Sequence, residues 1–112
     1  MDVLFQRTDP MLVHLELDLF WCYRGAADPV DVVRADPGRL RQRHVEDLGP
    51  SGSFEDLCRG VIDLGRVFAS SGRAGAVELV VERDDAGTGS RRSEQALDSA
   101  RVGFELLRAV RS

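Results

Sequence analysis

Two spacings of apolar residues alternate along this 112-residue chain, and this alternation restricts the fold more than any other feature of the sequence. Apolar residues at every second position predict a strand, whereas a repeat of three or four positions predicts a helix. The pattern predicts strands over residues 11–18, 40–46 and 76–82, and helices over residues 29–35, from 62 to near 72, and 94–110. Because strands that alternate with helices form βαβ units, we expect an α/β fold with a parallel sheet.

The residues between these segments agree with the predicted boundaries. Asp28 is positioned to cap the helix over residues 29–35, and Pro29 lies in its first turn, where proline is tolerated. Residues 37–38 (Pro-Gly) are expected to end that helix, and residues 49–52 are expected to form a loop. The last helix is predicted to bury five apolar side chains, namely Leu97, Val102, Phe104, Leu106 and Leu107.

Composition restricts the classes of function that this chain can have. The formal net charge of −4 argues against a general nucleic-acid-binding protein, which is usually basic. All 15 basic residues are arginine, which excludes chemistry based on a lysine. The sequence has neither a long apolar run nor a secretory signal, which predicts a cytoplasmic protein with no membrane partner. In that compartment Cys22 and Cys58 are expected to be reduced thiols that pack as small apolar side chains.

Each predicted strand ends at a side chain that can bind a metal ion. Asp18 ends the first strand, His44 the second and Glu82 the third. Glu46 and Asp47 follow His44 directly. Because the functional groups of parallel α/β proteins gather at the carboxyl ends of strands, we expect these side chains to converge. Carboxylates with one imidazole suit Mn²⁺, Mg²⁺, Co²⁺ or Zn²⁺, although the acidic residues alone are also explained as helix caps.

Other polar residues are expected to have ordinary structural roles. His14 is interpreted as a packing or surface histidine. Arg91 and Arg92 are expected in a solvated turn, with a phosphate contact as the alternative. Asp84 and Asp85 are expected to cap or solvate the loop after the third strand.

Three segments of the chain carry motifs in a definite order. Residues 4–39 (LFQRTDPMLVHLELDLFWCYRGAADPVDVVRADPGR) contain Thr-Asp-Pro, Glu-Leu-Asp-x-x-Trp and Gly-x-x-Asp-Pro-Val. Residues 43–48 read RHVEDL, and residues 60–86 read GVIDLGRVFASSGRAGAVELVVERDDA. In this order the segments resemble those around strands six, seven and eight of the xylose-isomerase-like sugar phosphate isomerase/epimerase family. The resemblance extends over nearly the whole chain.

The resemblance implies that residues 1–112 are the C-terminal part of a (β/α)8 TIM barrel. A closed barrel takes eight strand–helix units and about 250 residues, so the chain would supply only about the last three units, strands 6–8. Leu4 and Phe5 then look like the end of a preceding helix. By this resemblance Asp18, His44 and Glu82 are ligands of a divalent metal. The family's fourth ligand, a glutamate on strand four, has no counterpart here.

The activity that the resemblance implies is isomerisation or epimerisation of a sugar or sugar phosphate. In such enzymes a divalent metal holds the carbonyl and hydroxyl oxygens of the sugar and lowers the energy of an enediolate. Glu82 is then also the acid/base that moves the proton, and Trp21 lines the substrate pocket. A core position is the alternative for Trp21. We expect the chain to be inactive without the rest of the barrel.

Three features of the sequence depart from the family pattern. Glu46 stands where the family has a lysine, which reverses a charge beside the proposed metal. Arg41, Gln42 and Arg43 precede His44, and burying all three in a barrel wall would be costly. Cys58 stands where the family usually has a small residue.

Two other functions stay open at this point. The chain could be a non-catalytic remnant or interaction module, for which we expect self-association through open sheet edges. It could also be related to the zinc-dependent endonucleases of abasic DNA, a reading that the acidic balance of charge disfavours.

Overall fold

The computed structural model describes residues 2–35, 38–70, 78–86 and 93–110. Its elements in chain order are α1 (Asp2–Arg7), β1 (Leu15–Asp18), α2 (Leu19–Arg24), α3 (Pro29–Ala35), β2 (Leu40–Val45), β3 (Asp47–Leu48), β4 (Phe54–Glu55), α4 (Leu64–Ser70), β5 (Glu78–Val81) and α5 (Ser93–Val110). Helices and strands are mixed along the chain, as the α/β prediction requires.

Strands β1, β2 and β5 form one parallel sheet in the order β1-β2-β5. Asp18 on β1 lies beside His44 on β2, and His44 lies beside Val80 on β5. The outer edges of the sheet are therefore β1 and β5, and no other described strand pairs with either edge. The parallel sheet predicted from the alternation of apolar spacings is confirmed.

The two faces of this sheet differ in polarity because side chains alternate along each strand. Leu17 and Val45 lie on one face, where they join a buried apolar cluster that includes side chains of α2, α3 and α4. Glu16 and Glu78 lie on the opposite face and are exposed. The sheet therefore presents a polar face on which acidic side chains approach the solvent.

One predicted element, α3, has the predicted boundaries, and β2 differs from them by one residue. Helix α3 runs from Pro29 to Ala35, and Oδ1 of Asp28 accepts a hydrogen bond of 2.9 Å from the backbone amide of Val30, which caps the helix as expected. Strand β2 ends one residue before the predicted limit. Three predicted boundaries fall wholly or partly outside the described residues. They are the end of the first predicted helix at residues 37–38, the end of the second near Gly72, and the start of the third strand.

Other boundaries differ from the prediction. Strand β1 begins at Leu15 and not at residue 11, because the backbone amides of Leu12 and Val13 bond to the carbonyl of Asp9 in a turn. The apolar pattern also does not predict α2 or the antiparallel pair β3–β4, which encloses the expected loop at residues 49–52. These elements are two to six residues long and are too short to show a period.

The predicted buried side of α5 is only partly correct. Leu107 is buried and Val102 and Leu106 are half-buried, but Leu97 is 73% and Phe104 60% exposed. The reason is that α5 packs mainly against β5 at the edge of the sheet, so only a narrow stripe of the helix is covered. Among the described helices, including this longest one, none has both the length and the apolarity needed to cross a membrane.

The polar run before His44 is accommodated mostly without burial. Arg41 is exposed, and the side-chain amide of Gln42 donates a hydrogen bond of 2.7 Å to Glu78. Only Arg43 is buried, at 2% exposure, and this burial lowers its pKa. The cost expected for three buried polar side chains therefore falls on one residue.

Candidate metal site

Asp18, His44 and Glu82 converge at the carboxyl ends of the three parallel strands. One potential ligand atom from each side chain lies within 4.8 Å of the other two. Asp18 and His44 are neighbours in the register of β1 and β2, and Glu82 follows β5 directly. The parallel sheet brings these strand ends to one edge, so three residues that are distant in sequence meet in space.

The ring of His44 faces carboxylates on both sides. Its Nδ1 lies 3.9 Å from Oδ2 of Asp18 and contacts Oε2 of Glu82. Its Nε2 lies 3.2 Å from Oε1 of Glu16. Nδ1 is thus the ring nitrogen directed at the other two candidate ligands.

Asp18 combines a capping role with a position in the cluster. Its Oδ1 accepts a hydrogen bond of 2.8 Å from the backbone amide of Trp21 and so caps α2. Its Oδ2 is the oxygen that faces His44. Burial raises the pKa of Asp18 despite the bond from Trp21 and the nearby imidazole. The capping and ligand interpretations are therefore compatible, because they use different oxygens.

Further carboxylates surround the three candidate ligands. Glu46 is 2% exposed, and its Oε1 accepts a hydrogen bond of 2.8 Å from the backbone amide of Asp84. Its Oε2 has no hydrogen-bond partner among the described residues. Burial, together with the negative charges of Asp84, Asp18 and Glu82, raises the pKa of Glu46 to about 7. A cation bound here would offset part of this negative charge.

Trp21 lies beside the cluster and is not a core residue, so the core alternative is wrong. The side chain is 50% exposed, and its indole N–H donates a hydrogen bond of 3.3 Å to Oδ2 of Asp84. The ring also makes edge contacts with Phe20 and Phe54. One side is thus held by apolar rings while the rest is open to solvent, as a binding surface requires.

Asp47 has a structural role and does not join the cluster. It is fully buried, and its carboxylate accepts hydrogen bonds from the backbone amides of Leu48, Gly60 and Ile62. These bonds hold the segment after β4 against β3. The carboxylate of Asp47 is therefore engaged by backbone amides.

Two residues near the cluster were not singled out as site residues from the sequence. Glu16 is two positions before Asp18 in a strand and therefore on the same face, a spacing that could have revealed it. The sequence pattern predicts only that Asp84 lies in a loop. Its contact with Trp21 depends on the tertiary structure.

The remaining predicted residues lie elsewhere. His14 is exposed, which agrees with its interpretation as a surface histidine and not as a packing histidine. Both cysteines are free, and burial raises the pKa of each thiol. Cys22 is half-buried, whereas Cys58 is exposed at a positive φ of 64°, so packing as a small apolar residue is wrong for Cys58. Asp85 pairs with Arg83, and residues 91–92 lie outside the described part of the chain.

The donor set fits a divalent cation of the hard or borderline kind. Two carboxylates and one imidazole are ligands that Mn²⁺, Mg²⁺, Co²⁺ and Zn²⁺ accept, and the cluster itself includes no thiol that would favour a softer ion. Three protein ligands leave coordination positions for a substrate or water. These residues can hold a cation and still leave it accessible.

No family model matches the chain, and neither a curated protein nor a solved structure is significantly similar to it. The fold and the site define an α/β protein with a three-stranded parallel sheet and a cluster of two carboxylates and a histidine at the carboxyl ends of its strands.

Proposed function

We propose that this chain binds a divalent cation through Asp18, His44 and Glu82, and that the site belongs to a sugar or sugar phosphate isomerase or epimerase. One observation carries the proposal: three side chains from three separate strands place their ligand atoms within 4.8 Å of one another. Helix capping accounts for only one oxygen of Asp18, and it leaves the other oxygen, His44 and Glu82 available to a cation.

The sequence motifs supply the kind of reaction. The three segments that resemble the xylose-isomerase-like family contain Asp18, His44 and Glu82 at the positions of its metal ligands. A bound divalent cation supplies polarisation of the carbonyl and hydroxyl oxygens of the sugar. Glu82 is more than one-third exposed, so its carboxylate can exchange a proton with a substrate. Trp21 offers a flat surface against which a sugar can pack.

The parallel sheet is compatible with the last three strand–helix units of a TIM barrel. In that arrangement β1, β2 and β5 correspond to strands six, seven and eight. The family's fourth ligand is a glutamate on a strand without a counterpart in this sequence. We therefore propose that cation binding resides in this chain, whereas turnover requires the remaining strands of a barrel.

Calorimetric titration with Mn²⁺ tests the site. We expect the wild-type chain to bind Mn²⁺ and His44→Ala to bind it on the order of tenfold more weakly or worse, because a ligand is lost. His14→Ala is the matched control, since it removes an exposed imidazole that is not part of the cluster. Equal heats for the wild type and His44→Ala would overturn the proposal.

A second candidate is a non-catalytic interaction module that self-associates. It is favoured by the outer edges of β1 and β5, which pair with no other described strand and so offer free backbone groups. Sedimentation velocity over a range of concentrations tests it, with dimers or larger species expected. A monomer at every concentration would contradict this candidate and leave the cation site unaffected.

A further inference from the structure

The two ring nitrogens of His44 have different neighbours. Nδ1 faces Asp18 and Glu82, and Nε2 lies 3.2 Å from Oε1 of Glu16. A neutral imidazole carries its proton on one nitrogen and a lone pair on the other, and only the lone pair can bind a metal. The nitrogen that is protonated therefore decides whether His44 can serve as a ligand within this cluster.

We propose that Glu16 is a positioning residue, which accepts the Nε2–H of His44 and thereby directs the lone pair of Nδ1 towards Asp18 and Glu82. This inference rests on the proposed cation site. A histidine that binds a metal commonly donates its other N–H to a carboxylate, which sets the tautomer and the orientation of the ring. In this chain the carboxylate comes from the same face of the neighbouring strand.

The position of Glu16 follows from the packing of β1. Side chains alternate along the strand, so Glu16 and Asp18 share the polar face while Leu17 between them is buried in the core. A slip of one residue would expose Leu17 and bury both carboxylates, so the core fixes the register. In this register Glu16 lies beside Gln42, which is two residues before His44 on the same face of β2.

Gln42, which lies beside Glu16, is hydrogen-bonded to Glu78. Its side-chain amide donates a bond of 2.7 Å to Glu78, which holds both residues on the polar face, further than His44 from the carboxyl ends of the strands. Glu78 therefore provides a matched control for Glu16. Both are exposed carboxylates on the polar face of the sheet, but Glu78 accepts a hydrogen bond from Gln42, whereas Glu16 contacts His44.

The nitrogen of His44 that keeps its proton is measured in the Zn²⁺-loaded protein, because without a cation Nδ1 would itself donate to the carboxylates that it faces. Two-bond ¹⁵N–¹H correlation spectra of the Zn²⁺-loaded protein distinguish the Nδ1–H and Nε2–H forms, and comparison with His44→Ala separates the signals of His44 from those of His14. We expect the Nε2–H form in the wild type and in Glu16→Gln, whose amide oxygen can still accept the bond. We expect a mixture of the two forms in Glu16→Ala.

Zn²⁺ affinity supplies the second readout. We expect Glu16→Ala to weaken binding about 10- to 100-fold, with most of the loss recovered in Glu16→Gln. Glu78→Ala should stay within about twofold of the wild type, since it loses a screened surface charge and a hydrogen bond with Gln42 but no contact with His44. An Nδ1–H tautomer in the wild type, or equal affinities for Glu16→Ala and Glu78→Ala, would overturn the role of Glu16. Absence of Zn²⁺ binding by the wild type would instead overturn the proposed function, whereas wild-type binding with either of those two results would overturn only the role of Glu16.

Discussion

The backbone amide of Asp84 donates a hydrogen bond of 2.8 Å to Oε1 of Glu46, which ties the segment after β5 to the end of β2. The carboxylate of Glu46 is buried, and its second oxygen has no partner among the described residues. The bond holds Asp84 where its own carboxylate can accept the indole N–H of Trp21. Glu46 thus joins the two segments that flank the candidate site.

Replacement of Glu46 by glutamine should remove a dependence of stability on pH. The pKa of Glu46 rises from 4.5 to about 7 in the folded chain, so between these values the folded chain keeps a proton that the unfolded chain has lost. The free energy of unfolding of the wild type should therefore fall as pH rises through this window. Relative to wild type, Glu46→Gln should gain about 1–3 kcal/mol between about pH 5 and pH 8.

Urea unfolding with a chelator present measures this difference. Glu105→Gln is the control, because Glu105 is exposed on α5. Parallel pH profiles for Glu46→Gln and the wild type would contradict the expected titration.

Asp47 should be among the most costly acidic residues to remove. Asp47→Ala leaves the amides of Leu48, Gly60 and Ile62 without their acceptor in a buried place, so we expect a loss of about 3 kcal/mol or more. Asp63→Ala removes an exposed cap that accepts from one amide and should cost only about 1 kcal/mol. Similar denaturation midpoints for the two variants would disprove the difference.

Two helical glycines should respond in opposite directions to alanine. A Cβ at Gly103 in α5 would lie 2.6 Å from Cγ1 of Val81, so Gly103→Ala should destabilise the chain by about 1–3 kcal/mol. At Gly65 in α4 the nearest atom is Oδ1 of Asp63 at 3.5 Å, so Gly65→Ala should be neutral or stabilising by up to about 1 kcal/mol. Thermal unfolding of both variants checks the sign, and a stabilised Gly103→Ala would show that α5 does not pack closely on β5.

The single tryptophan should report binding of a paramagnetic ion. The backbone amide of Trp21 bonds to Asp18 and its indole to Asp84, so the ring is held beside the proposed site. We expect Co²⁺ to quench the emission of Trp21 in the wild type and not in His44→Ala. Mg²⁺ lacks unpaired electrons and serves as the control. Equal quenching in both proteins would place Co²⁺ outside the cluster.

The sequence predicted the elements whose patterns are local. Helix α3 follows from its Asp28 cap and Pro29, and β2 follows from its apolar ends despite the polar run between them. The prediction was wrong for Leu97 and Phe104, because an apolar stripe does not reveal how much of a helix has a partner to pack against. It also placed Asp47 among the side chains expected to converge near the metal ligands, although that carboxylate accepts hydrogen bonds from backbone amides.

The amino-acid sequence by itself determined which side chains share a face and which end a strand, because alternation along an extended backbone is a local property. Asp18, His44 and Glu82 could be selected on that basis. Only the tertiary structure decided which atoms meet, namely Nδ1 of His44 with Asp18 and Glu82, and Nε2 with Glu16. That pairing depends on the relative register of three strands, and the register is set by the burial of Leu17 and Val45 in a core assembled from distant parts of the chain.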